Sequence, residues 1–274
     1  MTRPDPSTPI DPATRLAVCE SAARAGGEVL RRYRRDGVTI RNKSDVGGKT
    51  YDLVSDADLD SERAVASEIR RAFPDDELIG EEGLDGDPAA EHLWIIDPLD
   101  GTNNYAHGLD HYAVSIAYYH RGVAVAGAVH NPARDEMYTA TRGGGAWFDG
   151  RRRSVADEST LDGVLVGCGF YYDRGRVMRQ TLTAIERLFG ADIHGIRRIG
   201  TASLDLIMVG LGNYGAFFEY QLAPWDFAAG RLFVEEAGGR VTTTDGDDLP
   251  IAKTSLLATN GRLHAAMIDA VRRD

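Results

Sequence analysis

Only two cysteines, Cys19 and Cys168, occur in 274 residues, which excludes a disulfide-stapled scaffold and makes a reducing cytoplasm the expected compartment. No apolar run approaches the roughly 18 residues that a membrane helix requires. Residues 1–10 lack the basic-then-apolar order of a signal peptide, so no membrane attachment is expected. Basic residues are scarce too, 31 against 42 acidic ones, giving a formal charge of -11. That balance argues against direct nucleic-acid binding, which depends on clustered Lys and Arg. Among the basic residues only Lys43, Lys49 and Lys253 are lysine, so a lysine near a functional site merits attention. What the chain does have is 43% hydrophobic residues at regular spacings, enough to bury a core and inconsistent with disorder.

The organisation reads as one compact unit in two halves. Residues 1–10 form a flexible arm, 11–153 an N-terminal α+β half, and 154–274 a C-terminal α/β half. Asp11-Pro12 has the capping residue and first-turn proline of a helix. Leu16, Cys19, Ala23, Gly26, Leu30 and Tyr33 then keep one face to about Arg35. Residues 36–50 read as a loop or weak hairpin. A second helix carries Leu59, Val65, Ile69 and Phe73 inward and stops at Pro74. Strands are expected at Leu93–Ile96, Tyr112–Tyr119, Val123–Val129 and Met137–Thr141, with turns at 120–122 and 131–132. The second half reads as a strand (Val164–Gly169), helices near 176–188 and 202–209, a strand (Ala216–Tyr220), a helix (Phe227–Ala237), two short strands and a terminal helix from Leu263. Strands and helices mixed without strict alternation indicate an α+β class.

Gly210-Leu-Gly-Asn-Tyr-Gly215 matches the glycine spacing of a dinucleotide fingerprint. That motif works only when it opens a helix whose N-terminus meets a pyrophosphate. Here it leads into the strand-like Ala216-Phe-Phe-Glu-Tyr220, so it reads as a glycine-rich connection.

The informative stretch is Trp94-Ile-Ile-Asp-Pro-Leu-Asp-Gly-Thr102. A bare Asp-x-x-Asp is ordinarily an acidic turn. Here Asp97 ends an apolar strand, Pro98 restricts the backbone, and Asp100 is followed at once by Gly101 and Thr102. Two carboxylates this close need protons or a cation, and an all-oxygen donor set without His or Cys suits Mg²⁺. The Gly101 and Thr102 amides, at a possible helix start near Asn103, suit phosphate oxygens. Two further acidic sites accompany this stretch. Glu81-Glu82 alone would be a solvated pair, and Asp226 in Pro224-Trp-Asp226 alone would be a helix N-cap.

In combination, the glutamate pair, WIIDPLDGT, and PWDFAAG followed by Glu235-Glu-Ala-Gly-Gly239 resemble the inositol monophosphatase family of Mg²⁺-dependent, Li⁺-sensitive phosphatases. The likeness runs from about Leu16 to the C-terminus, and Arg197–Leu206 is similar to the bacterial members in particular. The resemblance implies a layered αβαβα sandwich, a homodimer, and two or three Mg²⁺ per active site. It implies metal ligation by Glu81, Asp97, the Leu99 carbonyl, Asp100 and Asp226, with Glu82 behind them. It assigns catalysis to Asp58, Thr102 and Glu81, around a water activated by metal. Gly101 and Thr102 would bind phosphate, and Lys49 would belong to a metal-binding loop. Asp100, Gly200, Thr201, Ala202 and Glu219 would contact substrate, with Tyr171, Tyr172 and Asp173 at the pocket edge. Glu219 by itself would be an exposed strand residue. The expected reaction is hydrolysis of a small phosphorylated polyol, with myo-inositol 1-phosphate first and histidinol phosphate as the alternative. Fructose 1,6-bisphosphate, other sugar or cyclitol phosphates and 3′-phosphoadenosine 5′-phosphate come after these. Some bacterial relatives serve the transcription machinery, so a binding partner of that machinery is the reading from a different class.

Overall fold

The computed structural model describes residues 10–37, 40–42, 53–170 and 174–273. The expected roles of Lys49, Tyr171, Tyr172 and Asp173 therefore lie outside the described residues. The first helix, α1 (Pro12–Asp36), is capped by Asp11, whose carboxylate accepts the amides of Ala13 (3.1 Å) and Thr14 (3.2 Å). Two short antiparallel strands, β1 (Ile40–Asn42) and β2 (Leu53–Ser55), flank a section outside the described residues and precede α2 (Asp56–Ala72). The inner face of α2 differs from the expected one. Asp58, Ser61 and Glu62 are buried beside Ala57, Val65, Ala66 and Ile69, whereas Leu59 is only half-buried. Apolar periodicity selected Leu59 because it cannot register a polar stripe that faces a site.

A seven-stranded sheet follows: β3 (Glu77–Gly80), β4 (His92–Asp100), β5 (Ala113–His120), β6 (Val123–Asn131), β7 (Glu136–Thr141), β8 (Gly145–Phe148) and β9 (Arg151–Arg153), in that spatial order. Only the β3–β4 pair is parallel. The strands β3, β8 and β9 were not expected; the last two are short and bear little alternation. Between β4 and β5 lies α3 (Thr102–Ala106). The Leu93–Ile96 run of β4 is wholly apolar because it is covered on both faces. Trp94 and Ile96 join α1 and α2 on one side, while Leu93 and Ile95 join later helices on the other.

The second sheet runs β11 (Gly195–Arg197), β10 (Leu165–Cys168), β12 (Ala216–Leu222), β14 (Thr254–Thr259) and β13 (Arg240–Thr242). Its helices are α4 (Arg176–Gly190), α5 (Ala202–Gly210), α6 (Pro224–Glu236) and α7 (His264–Val271). Most residues of α5 and α6 are buried, as expected of helices held between two layers. They pack one way on the large sheet, through Leu204, Ile207, Ala228 and Phe233. They pack the other way on the small sheet, through Leu206, Val209, Phe227 and Val234. Gly230 permits their close crossing, since a Cβ there would lie 2.7 Å from Leu206. With α4 and α7 on the outer face of the small sheet, the layers are α1/α2, sheet, α5/α6, sheet, α4/α7. This is the αβαβα order.

Two expectations change in detail. Helix α6 starts at Pro224 rather than Phe227, so Asp226 is inside its first turn and Ala223 is the N-cap. The 210–215 segment ends α5 and enters β12, with no helix after its glycines. Among the described residues no helix is long and apolar enough to cross a membrane.

Candidate active site

The end of β4 meets the first turns of α5 and α6, and the chain's acidic motifs converge there. Glu81, Asp97, Leu99, Asp100, Gly101 and Thr102 line one cavity of about 220 Å³. So do Gly200, Thr201, Ala202, Glu219 and Asp226. The register of β4 against β5 shifts between Asp97 and Asp100, which brings both aspartates toward the same end of the sheet despite their spacing.

Each carboxylate is held by a different device. Asp97 is almost fully buried, its Oδ1 accepts the Leu99 amide at 3.0 Å, and its Oδ2 has no hydrogen-bond partner among the described residues. Asp100 accepts the Ser203 amide (2.7 Å), the Ser203 hydroxyl (2.6 Å) and the Ala202 amide (3.3 Å) at the start of α5. Asp226 accepts the amide of Ala223 at 2.6 Å, a bond that also closes the first turn of α6. Amides at helix N-termini favour negative charge in both cases.

The electrostatics of the bare site are strained. Burial pushes the Asp97 carboxyl well above the usual range, and the charges of Glu81, Asp100 and Asp226 push it further. Asp226 is raised in the same way, by burial and then by Asp100 and Glu81. Burial lifts Asp100 to about 6 against the pull of the Ser203 bonds. Such a group of acids, one with an orphaned buried oxygen, fits a hard divalent cation or cations: every donor is oxygen, and positive charge would remove the repulsion.

Beside this cluster the Thr102 hydroxyl lies 3.2 Å from Asp58 Oδ1 and 3.1 Å from the Leu99 carbonyl. Gly101 sits at φ 92°, and a Cβ there would fall 2.4 Å from Thr201 Oγ1, so the two halves touch at a point only glycine tolerates. Across the cavity stands Glu219, nearly buried and raised by burial and then by Asp226 and Asp205. Gly169 makes its space, because a Cβ there would lie 1.7 Å from Glu219 Oε2. Glu219 is thus a buried wall of the cavity, and simple strand alternation would have left it in solvent.

Glu82 is not part of this lining. It borders an adjoining groove with Trp225 and Ile251, and its amide donates to Glu62 Oε2 at 3.0 Å. Residues that the sequence reading missed include Glu62, Ser203, Asp205, Arg198 and Lys253. Glu62 supports the 81–83 turn through the amides of Glu82 and Gly83. The spacing of Asp58, Ser61 and Glu62 on one helical face was a usable signal. Asp205 lies in the cavity wall, its Oδ1 without a partner among the described residues. Lys253, one of the few lysines, also lines the cavity.

Comparison with known proteins agrees with this geometry. The family model described as "Inositol monophosphatase family" matches residues 11–274. The Nus factor SuhB of Pseudomonas aeruginosa is 38% identical over 264 residues, covering 94% of this chain and 95% of that protein. An inositol-1-monophosphatase of Rhizobium meliloti is 40% identical over 225 residues, covering 81% and 84%. Among solved structures, the extragenic suppressor protein suhB of Bartonella henselae superposes with a TM-score of 0.86 at 34% identity, covering 95% and 99%. The Thermotoga maritima IMPase gives 0.83 at 33%, covering 94% and 96%. The chain belongs to the inositol monophosphatase family of metal-dependent phosphatases.

Proposed function

We propose that this protein hydrolyses a small phosphate monoester with Mg²⁺, and that a phosphorylated polyol, myo-inositol 1-phosphate first, is its substrate. The observation that carries this reading is the meeting of Glu81, Asp97, Asp100 and Asp226 in one cavity, with Glu219 on its far wall. Glu81, Asp97, Asp100, Asp226 and the Leu99 carbonyl would hold the cations. Bound Mg²⁺ would lower the pKa of a water and offset charge on the phosphate and the leaving oxygen.

The chain's own groups do the rest. The Thr102 hydroxyl, already beside the Asp58 carboxylate, orients the attacking water, and Asp58 is the acceptor for its proton. The Gly101 and Thr102 amides hold phosphate oxygens. The Ala202 and Ser203 amides keep Asp100 in place, so its carboxylate does not have to reorganise during reaction. Glu219 hydrogen-bonds substrate hydroxyls, and its buried carboxyl is neutralised easily enough to serve as donor or acceptor. Histidinol phosphate is the alternative, since an acidic wall also accommodates a cationic substrate.

A role as a partner of the transcription machinery is the second reading, favoured by the relative named Nus factor SuhB. Phosphate release from inositol 1-phosphate, histidinol phosphate and fructose 1,6-bisphosphate, with Mg²⁺ and with or without Li⁺, separates the two. Li⁺-sensitive release, fastest on the inositol ester and abolished in a folded Asp226→Ala variant, supports the proposal. No release from any ester, or full activity in that variant, refutes it.

A further inference from the structure

A different set of metal-type side chains lies at the opposite end of β4. His92 opens β4 and His120 closes β5, and the two are register partners across the strands. Their rings stack with centroids 5.2 Å apart and planes 25° from parallel. Glu91, the preceding residue, puts Oε1 3.3 Å from His120 Nε2. One ligand atom from each of Glu91, His92 and His120 falls within 4.8 Å of the other two. His92 lies five residues before Asp97, roughly 16 Å along the strand, so this cluster is separate from the acidic cavity.

We propose that Glu91, His92 and His120 form a transition-metal site of Zn²⁺ type that staples the start of β4 to the end of β5. The donor set is two imidazoles and one carboxylate, which suits Zn²⁺, Cu²⁺ or Ni²⁺ and not Mg²⁺. Tetrahedral coordination with bonds of about 2.0–2.1 Å separates neighbouring ligand atoms by about 3.3–3.4 Å. The His120–Glu91 separation of 3.3 Å is that edge, and it is long for a hydrogen bond, whose usual length is about 2.9 Å. His92 offers a ring nitrogen within 4.8 Å of a ligand atom of each of the other two. Its Nδ1 lies 2.7 Å from the Tyr118 hydroxyl, an outer contact of the kind that fixes the orientation of metal-binding histidines.

Arg121 is the competing partner, donating to Glu91 Oε1 from Nε (3.2 Å) and from its terminal nitrogen (2.7 Å). Among the described residues Oε1 carries all of these contacts, so a cation on the His120–Glu91 edge displaces Arg121 from it. The mouth is open, with Glu91 exposed and both histidines half-buried, so a metal can enter without unfolding.

The test uses the full chain in excess Mg²⁺. Zn²⁺ equilibrium dialysis and Cu²⁺ electron paramagnetic resonance are run on wild type, on Asp97→Asn and on the double variant His92→Gln/His120→Gln. Wild type and Asp97→Asn should each bind Zn²⁺ and show nitrogen hyperfine splitting on Cu²⁺. The double variant should lose the splitting and bind one Zn²⁺ at least ten-fold more weakly, while releasing phosphate at the wild-type rate. Equal Zn²⁺ number and affinity in the double variant, or a wild-type Cu²⁺ spectrum without nitrogen coupling, would overturn the proposal.

Discussion

Replacing Asp97 by Asn should make the metal-free protein more stable and, in the proposed reaction, inactive. Asp97 Oδ1 accepts the Leu99 amide, and the Asn oxygen can keep that bond. Oδ2 is buried without a partner among the described residues and is surrounded by like charges, so a neutral amide in its place removes one charge from a group that repels it. The scale can be judged from Asp100, lifted from 3.8 to about 6. At about 1.36 kcal/mol per pKa unit, that shift corresponds to roughly 3 kcal/mol. The sign follows from proton binding. A folded carboxyl with a raised pKa holds its proton more tightly than the unfolded one, so its contribution is fully present below about pH 3.8 and lost as pH rises through about 6. The metal-free wild type should therefore weaken between about pH 4 and 7, and Mg²⁺ should restore stability at pH 8 by binding only the folded form. Removing one charge from the cluster should raise stability at pH 8 by about 1–3 kcal/mol, the ordinary size of a substitution that relieves a buried unpaired charge. Urea titrations in EDTA at pH 5 and pH 8, with and without Mg²⁺, read all of this. The reasoning fails if EDTA-treated wild type is equally stable at both pH values and Asp97→Asn is destabilising at pH 8.

Two more substitutions probe the walls of the cavity. Gly169→Ala should force Glu219 out of its position, because the new Cβ would lie 1.7 Å from Oε2. We expect a stability loss of about 1–3 kcal/mol and a roughly ten-fold rise in KM for a polyol phosphate, with little change for a simple aryl phosphate; equal KM values for the polyol ester in both proteins would refute this. Glu62→Gln weakens the support of the 81–83 turn, so the Mg²⁺ concentration for half-maximal rate should rise roughly 10–100-fold while the saturated rate is retained. An unchanged Mg²⁺ requirement would show that Glu62 serves packing alone.

Much of the fold was legible because its signals are local. The proline-initiated α1, the apolar β4 and the three strands after it follow from capping chemistry, periodicity and turn residues. The exceptions have local causes too. Strands β3, β8, β9 and β11 are only three or four residues long and carry too little alternation to register. Leu59 was assigned inward and Asp58, Ser61 and Glu62 were not, since the apolar pattern is silent about a helix face buried for its polar groups. Asp226 was read as the capping residue of a helix from Phe227 because aspartate is a favoured N-cap. Its bond to the Ala223 amide is what makes it part of the first turn.

The sequence by itself determined the chemistry of the site: oxygen donors without His or Cys, two of them held three residues apart at the end of a buried strand. It could also mark Glu81 and Asp226 as partners, through the family resemblance of their motifs. Tertiary structure alone decided which of the 42 acidic residues share a cavity and how each is held. Asp100 and Ser203 are 103 residues apart in the chain, yet the Ser203 hydroxyl is 2.6 Å from Asp100 Oδ2. Gly101 meets Thr201 across a comparable separation. Periods of two and 3.6 residues state which face of an element is apolar, but not which other element covers it. That pairing is set by the packing of α5 and α6 between the two sheets, which brings the buried wall of Glu219 to Asp97, and by α2 on the outer face of the large sheet, which brings the support from Glu62.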